Sequence, residues 1–464
     1  MAKHSTVLLL LVAFFSVRAD SRLVVSENGR FFYDEGRPVV LFGGGLWTVI
    51  PDVTVDVEEH NSWLERWGAN ANRATLFAFF NSVADGEGLA PWERTGPGTA
   101  NDGGLKFDLG KPGERFWQRV HDYLQSCERH GIYTLLQIFD EPFTEAGKER
   151  WKNNPFNPEN HVNPIPGLPG GKGSGEEAFY DPENRELMAI QDALVRRLLD
   201  ETAIRHGNAI YEIGNEINMD SMTPKAESWQ KHWIRFFKAY EEEKGVSLLL
   251  SNDTRKDLFV AAEGGFDVVN HHGFLRCPIE GSQHRELAQC IFKGIEDDFG
   301  RFHRPILNSR PCSDPDRTNY RDIVSEETGR RLYWSYFVGG GHIIGFRTTD
   351  ESLMGGEAAE RIIQNLRRFI DSTRYWEMEP RADLVEGDAL CLSCPGKQYV
   401  LYFPSGGKAT VDLKQPKVIF NLRWYNPRAG VFQEPERVSG EETVTFAAPD
   451  ENDWALLLEA ANSN

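Results

Sequence analysis

Asn215 and Glu216 set a carboxamide and a carboxylate side by side at the end of the run Ala209-Ile210-Tyr211-Glu212-Ile213-Gly214. Side chains alternate along a strand, so Ile210 and Glu212 share one face, Tyr211 and Ile213 the other, and the chain leaves the sheet at Gly214. A carboxyl group at a strand end can trade a proton with a bound substrate, and such ends are where a parallel barrel places its chemistry. Breaking a glycosidic bond needs two carboxyl groups, one as general acid and one as nucleophile or base. Glu216 therefore requires a partner.

Other chemistries find less footing. His271 and His272 close the apolar run Phe266-Asp267-Val268-Val269-Asn270, and by alternation only one of them faces a barrel mouth; each reads equally as a satisfied structural histidine. No His pair stands at i, i+4 around a Glu, and no Asp-rich calcium loop is present. Cys391 and Cys394 have no second pair at zinc spacing, so no metal is expected. No serine sits in a Gly-x-Ser-x-Gly elbow, and no Gly-x-Gly-x-x-Gly turn follows an early strand, so no cofactor is expected either.

The elements that must position these residues alternate. Apolar runs at 71–77, 133–139, 209–214, 247–250, 266–272, 305–309 and 342–346 read as strands, with Val39–Phe42 before them. Helical periodicity fills the gaps at 58–67, 113–130, 186–206, 229–243, 285–298, 320–337 and 358–370. About eight strands alternating with helices predict a (β/α)8 TIM barrel. A hairpin turning at Asn28-Gly29 precedes it. Short strands with Gly- and Pro-rich turns after Trp376 predict a small C-terminal β-sandwich. Long insertions at 81–106 and 141–181 follow barrel strands and so belong to the catalytic face; their Trp92, Trp151 and Phe156 either line a cleft or pack the loops onto the barrel.

Lys3 and His4, the apolar run Val7 to Phe15 and small residues up to Ala19 read as a signal peptide of residues 1–19 on a secreted protein, with the barrel over 20–376 and the sandwich over 381–464. The apolar run is too short to span a bilayer as an ordinary helix, and no later stretch is long enough. The net charge of −19 becomes −21 without Lys3 and Arg18, which disfavours nucleic acid and anionic lipid and suits a neutral poly- or oligosaccharide. Of the six cysteines, Cys277 and Cys290 make the expected disulfide, since both flank one loop and helix start.

Tyr211-Glu212-Ile213-Gly214-Asn215-Glu216 resembles the strand-four Asn-Glu motif of clan A retaining glycoside hydrolases. The likeness extends to the apiosidase-like family, whose barrels precede a small sandwich named for collagen binding. It rests on Tyr399-Val400-Leu401-Tyr402-Phe403-Pro404-Ser405-Gly406-Gly407, on Asn421 to Arg428, on Asn153-Asn154-Pro155-Phe156-Asn157-Pro158, and on the N-terminal hairpin with Leu41 to Trp47. The resemblance implies Glu216 as acid/base, Asn215 on the sugar hydroxyl beside the cleaved bond, and Arg73 as support for the nucleophile. Trp47, His271, His272 and Arg310 complete the expected substrate-binding set.

Two positions depart from that pattern. Strand seven reads Pro305-Ile306-Leu307-Asn308-Ser309-Arg310, with Arg310 where the nucleophilic carboxylate belongs, and Arg347 closes strand eight in place of a sugar-stacking Trp. A guanidinium stays protonated and cannot attack; facing Glu216 it would hold that carboxyl ionised, whereas a general acid needs a raised pKa. Three readings follow. The chain is a pseudoenzyme that binds a glycan without cutting it, including as an extracellular adhesion protein; or a displaced carboxylate serves, from Asp140, Glu141, Asp314, Asp316, Asp350 or Glu351; or Glu216 is the ion-pair partner of Arg310 or Arg73.

Overall fold

The computed structural model describes residues 23–76, 88–140, 144, 150–172, 174–217, 224–254, 265–272, 277, 284–310, 326–348, 357–413, 418–440 and 443–461; of residues 176, 252–254, 272, 310 and 346–348 only the backbone is described. Three short strands open the chain, β1 (Leu23–Val25), β2 (Phe32–Asp34) and β3 (Arg37–Val39), paired antiparallel in that order. Asn28 and Gly29 make the first turn, with Gly29 at φ 74, a left-handed conformation that glycine adopts without strain. Next come β4 (Phe42–Leu46) and β5 (Ala71–Thr75), an outlying antiparallel pair β6 (Trp92–Thr99) and β7 (Leu105–Pro112), and β8 (Tyr133–Asp140). The remaining barrel strands are β9 (Ala209–Asn215), β10 (Leu249–Thr254), β11 (Val268–His272), β12 (Ile306–Arg310) and β13 (His342–Thr348).

β4, β5, β8, β9, β10, β11, β12 and β13 form a closed barrel in that order, β13 returning to β4, with every pairing parallel. Helices Val57–Trp67, Glu114–Arg129, Arg185–Thr202, Pro224–Lys244, His284–Phe302, Glu326–Val338 and Glu357–Ile370 lie between or after the strands. The first shows why its limits fall where they do: Asp56 accepts from the amides of Glu58 and Glu59, and Gly68 ends it at φ 77. None of the described helices is long and apolar enough to cross a membrane.

The first barrel strand starts later than its apolar residues suggest. Val39 belongs to the hairpin, and the barrel strand runs through Gly43-Gly44-Gly45. The cause is close approach: a Cβ at Gly43 would lie 2.0 Å from the Ala71 carbonyl oxygen, and one at Gly45 2.4 Å from Asn72 Oδ1. The insertion at 81–106 also holds more order than its Gly, Asp and Pro content suggests, because β6 and most of β7 fall in or beside it. That hairpin leans on the second insertion, with the Phe107 amide donating to the Asn160 carbonyl at 2.8 Å and the Val162 amide to the Phe107 carbonyl at 2.9 Å.

The N-terminal hairpin closes the floor of the barrel. Leu23, Phe32, Val39 and Leu41 pack with the inward residues Ala71, Leu135, Ile210, Leu249, Val268, Leu307 and Ile344 in one apolar cluster. His342 ties the two together: its Nδ1 accepts from the Leu41 amide and its Nε2 donates to the Arg30 carbonyl, both at 2.9 Å. Complete burial pushes its pKa down to about 4.

After the barrel, β14 (Glu379–Pro380), β16 (Leu390–Cys394), β17 (Gln398–Phe403), β23 (Trp454–Ala460), β19 (Ile419–Asn426) and β20 (Val431–Phe432) make the larger sheet of the sandwich, with β21 (Glu436–Ser439) also on β19. β15 (Val385–Gly387), β18 (Lys408–Asp412) and β22 (Thr443–Ala447) make the smaller. The whole is a TIM barrel followed by a β-sandwich, as the sequence pattern predicts. Cys277 and Cys290 are joined in a disulfide. Cys391 lies in the sandwich core, its thiol pushed up to about 12 by burial.

Candidate active site

One layer above the apolar floor, the inward face of the barrel turns polar. Arg73 on β5 forms a buried ion pair with Glu212 Oε1 on β9, and the same Nη2 donates to Asn215 Oδ1 at 2.9 Å. The other Glu212 oxygen accepts from Asn270 Nδ2 on β11 at 2.9 Å. That Nδ2 also donates to Ser309 Oγ on β12 at 2.8 Å, while Asn270 Oδ1 accepts from the Ser309 amide at 3.0 Å. Glu212 and Asn270 are fully enclosed. A carboxylate buried this completely is tolerated because a guanidinium and an amide take its lone pairs.

This network aims the two residues at the end of β9. Asn215 is held from both sides: Oδ1 accepts from Arg73, and Nδ2 donates to Asp140 Oδ1 at 2.6 Å, Asp140 being its register partner at the end of β8. The next residue, Glu216, turns out of the strand at φ 58 and is partly exposed. Left-handed backbone is unfavourable for a glutamate, so the turn that presents this side chain carries local strain. On the neighbouring side Trp47 is buried, donating from Nε1 to Gln137 Oε1 at 3.0 Å, and Gln137 is inward on β8.

The barrel therefore brings Arg73, Asp140, Asn215, Glu216 and Trp47 to one end. Asp140 is buried beside Asn215. His271 is placed elsewhere. It faces the outer helix His284–Phe302, with Nε2 3.1 Å from Asp298 Oδ2 but off hydrogen-bond geometry. Asn270 takes the inward place, which is the alternation expected of two successive strand residues. Of His272 and Arg310 the backbone alone is described, paired with one another across β11 and β12. Arg347 is likewise known only as a residue of β13, and Glu141, Asp314, Asp316, Asp350 and Glu351 lie outside the described residues.

Between the two readings of the loop aromatics, packing holds. Trp151 and Phe156 are fully buried and Trp92 nearly so, with Trp92 edge-on to Phe156 at 5.3 Å and Phe156 to Phe179 at 5.0 Å. Glu212, Asn270 and Ser309 were not among the expected site residues. Their signal was present: Ile210, Val268 and Leu307 each precede a polar residue by two positions, on the same face.

Comparison with known proteins agrees with this architecture. Residues 88–262 match a family model described as a domain of unknown function (DUF6298), and residues 383–459 match one described as "Putative collagen-binding domain of a collagenase". No curated protein matches by sequence. The fold is similar to that of a solved glycoside hydrolase at TM-score 0.62 and 16% identity, covering 96% of this chain and 98% of that one. It is also similar to a glycoside hydrolase family 5 structure from Bacteroides vulgatus at TM-score 0.63 and 15% identity, covering 94% and 93%. At such identities the likeness establishes the fold alone: a (β/α)8 barrel followed by a C-terminal sandwich.

Proposed function

We propose that this protein is secreted and takes a poly- or oligosaccharide at the C-terminal mouth of its barrel, with Glu216 as the acid/base residue for cleavage of a glycosidic bond. The observation that carries this reading is the clamped amide of Asn215, fixed by Arg73 and Asp140 immediately before a carboxylate that leaves the strand toward the mouth. A preorganised amide suits one hydroxyl of a bound sugar, and the neighbouring carboxyl then lies beside the bond. Glycoside hydrolases that share the fold support a sugar ligand. Asp140 supplies a second carboxyl group at the same end.

Arg310 favours a second reading, in which the same mouth binds a glycan without cutting it, as in an extracellular binding or adhesion protein; the collagen-binding description of the C-terminal match belongs to this reading as well. One experiment separates the two. Wild-type protein and Glu216→Gln are titrated against a polysaccharide panel while released reducing sugar is followed. Release by wild type and none by the variant supports cleavage through Glu216. Binding without release, with activity appearing in Arg310→Glu, supports the binding protein. Neither binding nor release across the panel removes the glycan proposal.

A further inference from the structure

We infer that the C-terminal sandwich is a fixed brace for the mouth of the barrel, holding the helices that follow β11 and β12, and is not a separately mounted binding module. The larger sheet is the first ground for this. An antiparallel sheet with one wet face alternates apolar and polar residues, whereas all six residues of β17 and the first five of β23 are buried. Tyr399, Leu401 and Phe403 belong to the core between the two sheets of the sandwich. Val400, Tyr402, Tyr425 and Leu457 belong instead to the core that runs through the barrel helices. Trp334, on the helix Glu326–Val338, stacks on Tyr402 with ring centroids 5.3 Å apart. Tyr425 donates its hydroxyl to the Asn365 carbonyl at 2.6 Å.

Charge completes the attachment. Arg330 grips Asp453 with two parallel bonds, Nε to Oδ2 at 2.8 Å and Nη2 to Oδ1 at 2.9 Å, and both side chains are buried. Arg331 donates from Nε to the Pro404 carbonyl at 2.6 Å. Arg285 pairs with Asp388 at 2.7 Å and donates to the Ser405 carbonyl at 3.3 Å. A forked guanidinium–carboxylate contact fixes orientation as well as distance. These arginines stand in the first two turns of His284–Phe302 and Glu326–Val338, at the helix ends nearest the barrel mouth. The strands leading into these two helices carry Asn270 and Ser309 of the polar layer.

The aromatic residues agree. Of the nine between Tyr399 and Trp454, eight are buried and the ninth, Phe432, stacks on Phe369 of the barrel at 5.8 Å. A surface that captures sugars or a fibrous partner by stacking presents open rings, and among the described residues of this sandwich the rings are spent on the barrel and on its own core.

Hydrogen exchange on the full-length chain tests the brace without requiring a ligand. Asp453→Ala leaves Arg330 buried without its carboxylate. Exchange in the opening turns of His284–Phe302 and Glu326–Val338 is expected to quicken by roughly a hundredfold to a few thousandfold, the range that corresponds to breaking a buried pair. The helix Glu114–Arg129, across the barrel, is expected to keep its protection. Loosening confined to residues 379–461 would overturn the inference. Wild type gives an arm that holds even where the variant does not fold: its denaturant unfolding by far-UV circular dichroism and by tryptophan fluorescence should coincide in one transition, and two separated transitions would overturn the brace.

Discussion

The floor and the mouth of the barrel are lined by the same strands and the same pleat face, yet they obey opposite rules. At the floor, Ala71, Leu135, Ile210, Leu249, Val268 and Leu307 point inward and are covered by the hairpin. Two residues further along each strand stand Arg73, Gln137, Glu212, Ser251, Asn270 and Ser309, all buried and all polar. One step of the pleat, roughly 7 Å, converts a core that needs only shape into one that needs its hydrogen-bond partners. The floor holds the barrel shut by area removed from water; the mouth spends part of that stability to hold charge in a chosen geometry.

The sharpest way to break this comparison is Glu212→Ala. It strands the Arg73 guanidinium in the interior and should cost about 3–5 kcal/mol, read as a fall in the urea midpoint, with Glu212→Gln costing less because shape and one acceptor remain. Leu135→Ala in the floor should cost about 2–5 kcal/mol through lost area and cavity. Both variants unfold the same barrel, but only for the first should the cost relative to wild type change with salt or pH. If the two behave alike under every condition, the mouth is an ordinary core.

The floor has its own acid sensitivity. His342 sits at about 4 when folded against an ordinary value of 6.5, so the unfolded chain takes up the proton first. Its contribution is therefore complete above about pH 6.5 and lost as pH falls toward 4, amounting to roughly 3 kcal/mol across that window. Urea midpoints at pH 7, 5.5 and 4.5 should show this slope in wild type and a shallower one in His342→Gln. Trp47→Phe, at the mouth, removes the bond to Gln137 and should cost about 1 kcal/mol. In Glu216→Gly relief of the left-handed backbone and the added freedom of glycine offset each other at about 1 kcal/mol each, so any larger fall in the urea midpoint measures the contacts of the Glu216 side chain. On the proposed cleavage through Glu216, this variant should release no reducing sugar.

The alternation of apolar and helical segments made the barrel legible in the chain, as did the turn-separated strands of the sandwich. Much of the site was harder to read because its contacts do not follow strand neighbours. Arg73 on β5 reaches Glu212 on β9 past the intervening β8, a contact that no register between adjacent strands predicts. His271 and Asn270 differ by one residue, and strand alternation alone leaves open which of a pair enters the barrel. The β6–β7 hairpin was hidden by Thr95-Gly96-Pro97-Gly98, whose composition signals a loop. Its order comes from residues near Asn160, some 60 positions away. The glycine strand β4 likewise depends on how closely Ala71 approaches it.

The hairpin seated under the barrel has a consequence for traffic. Among the described residues, Leu23 and Phe32 fill the lower end and close it. A ligand of the polar layer is therefore met at the opposite end, where Asn215 and Glu216 stand, and the hairpin fixes which end of the barrel is left for recognition.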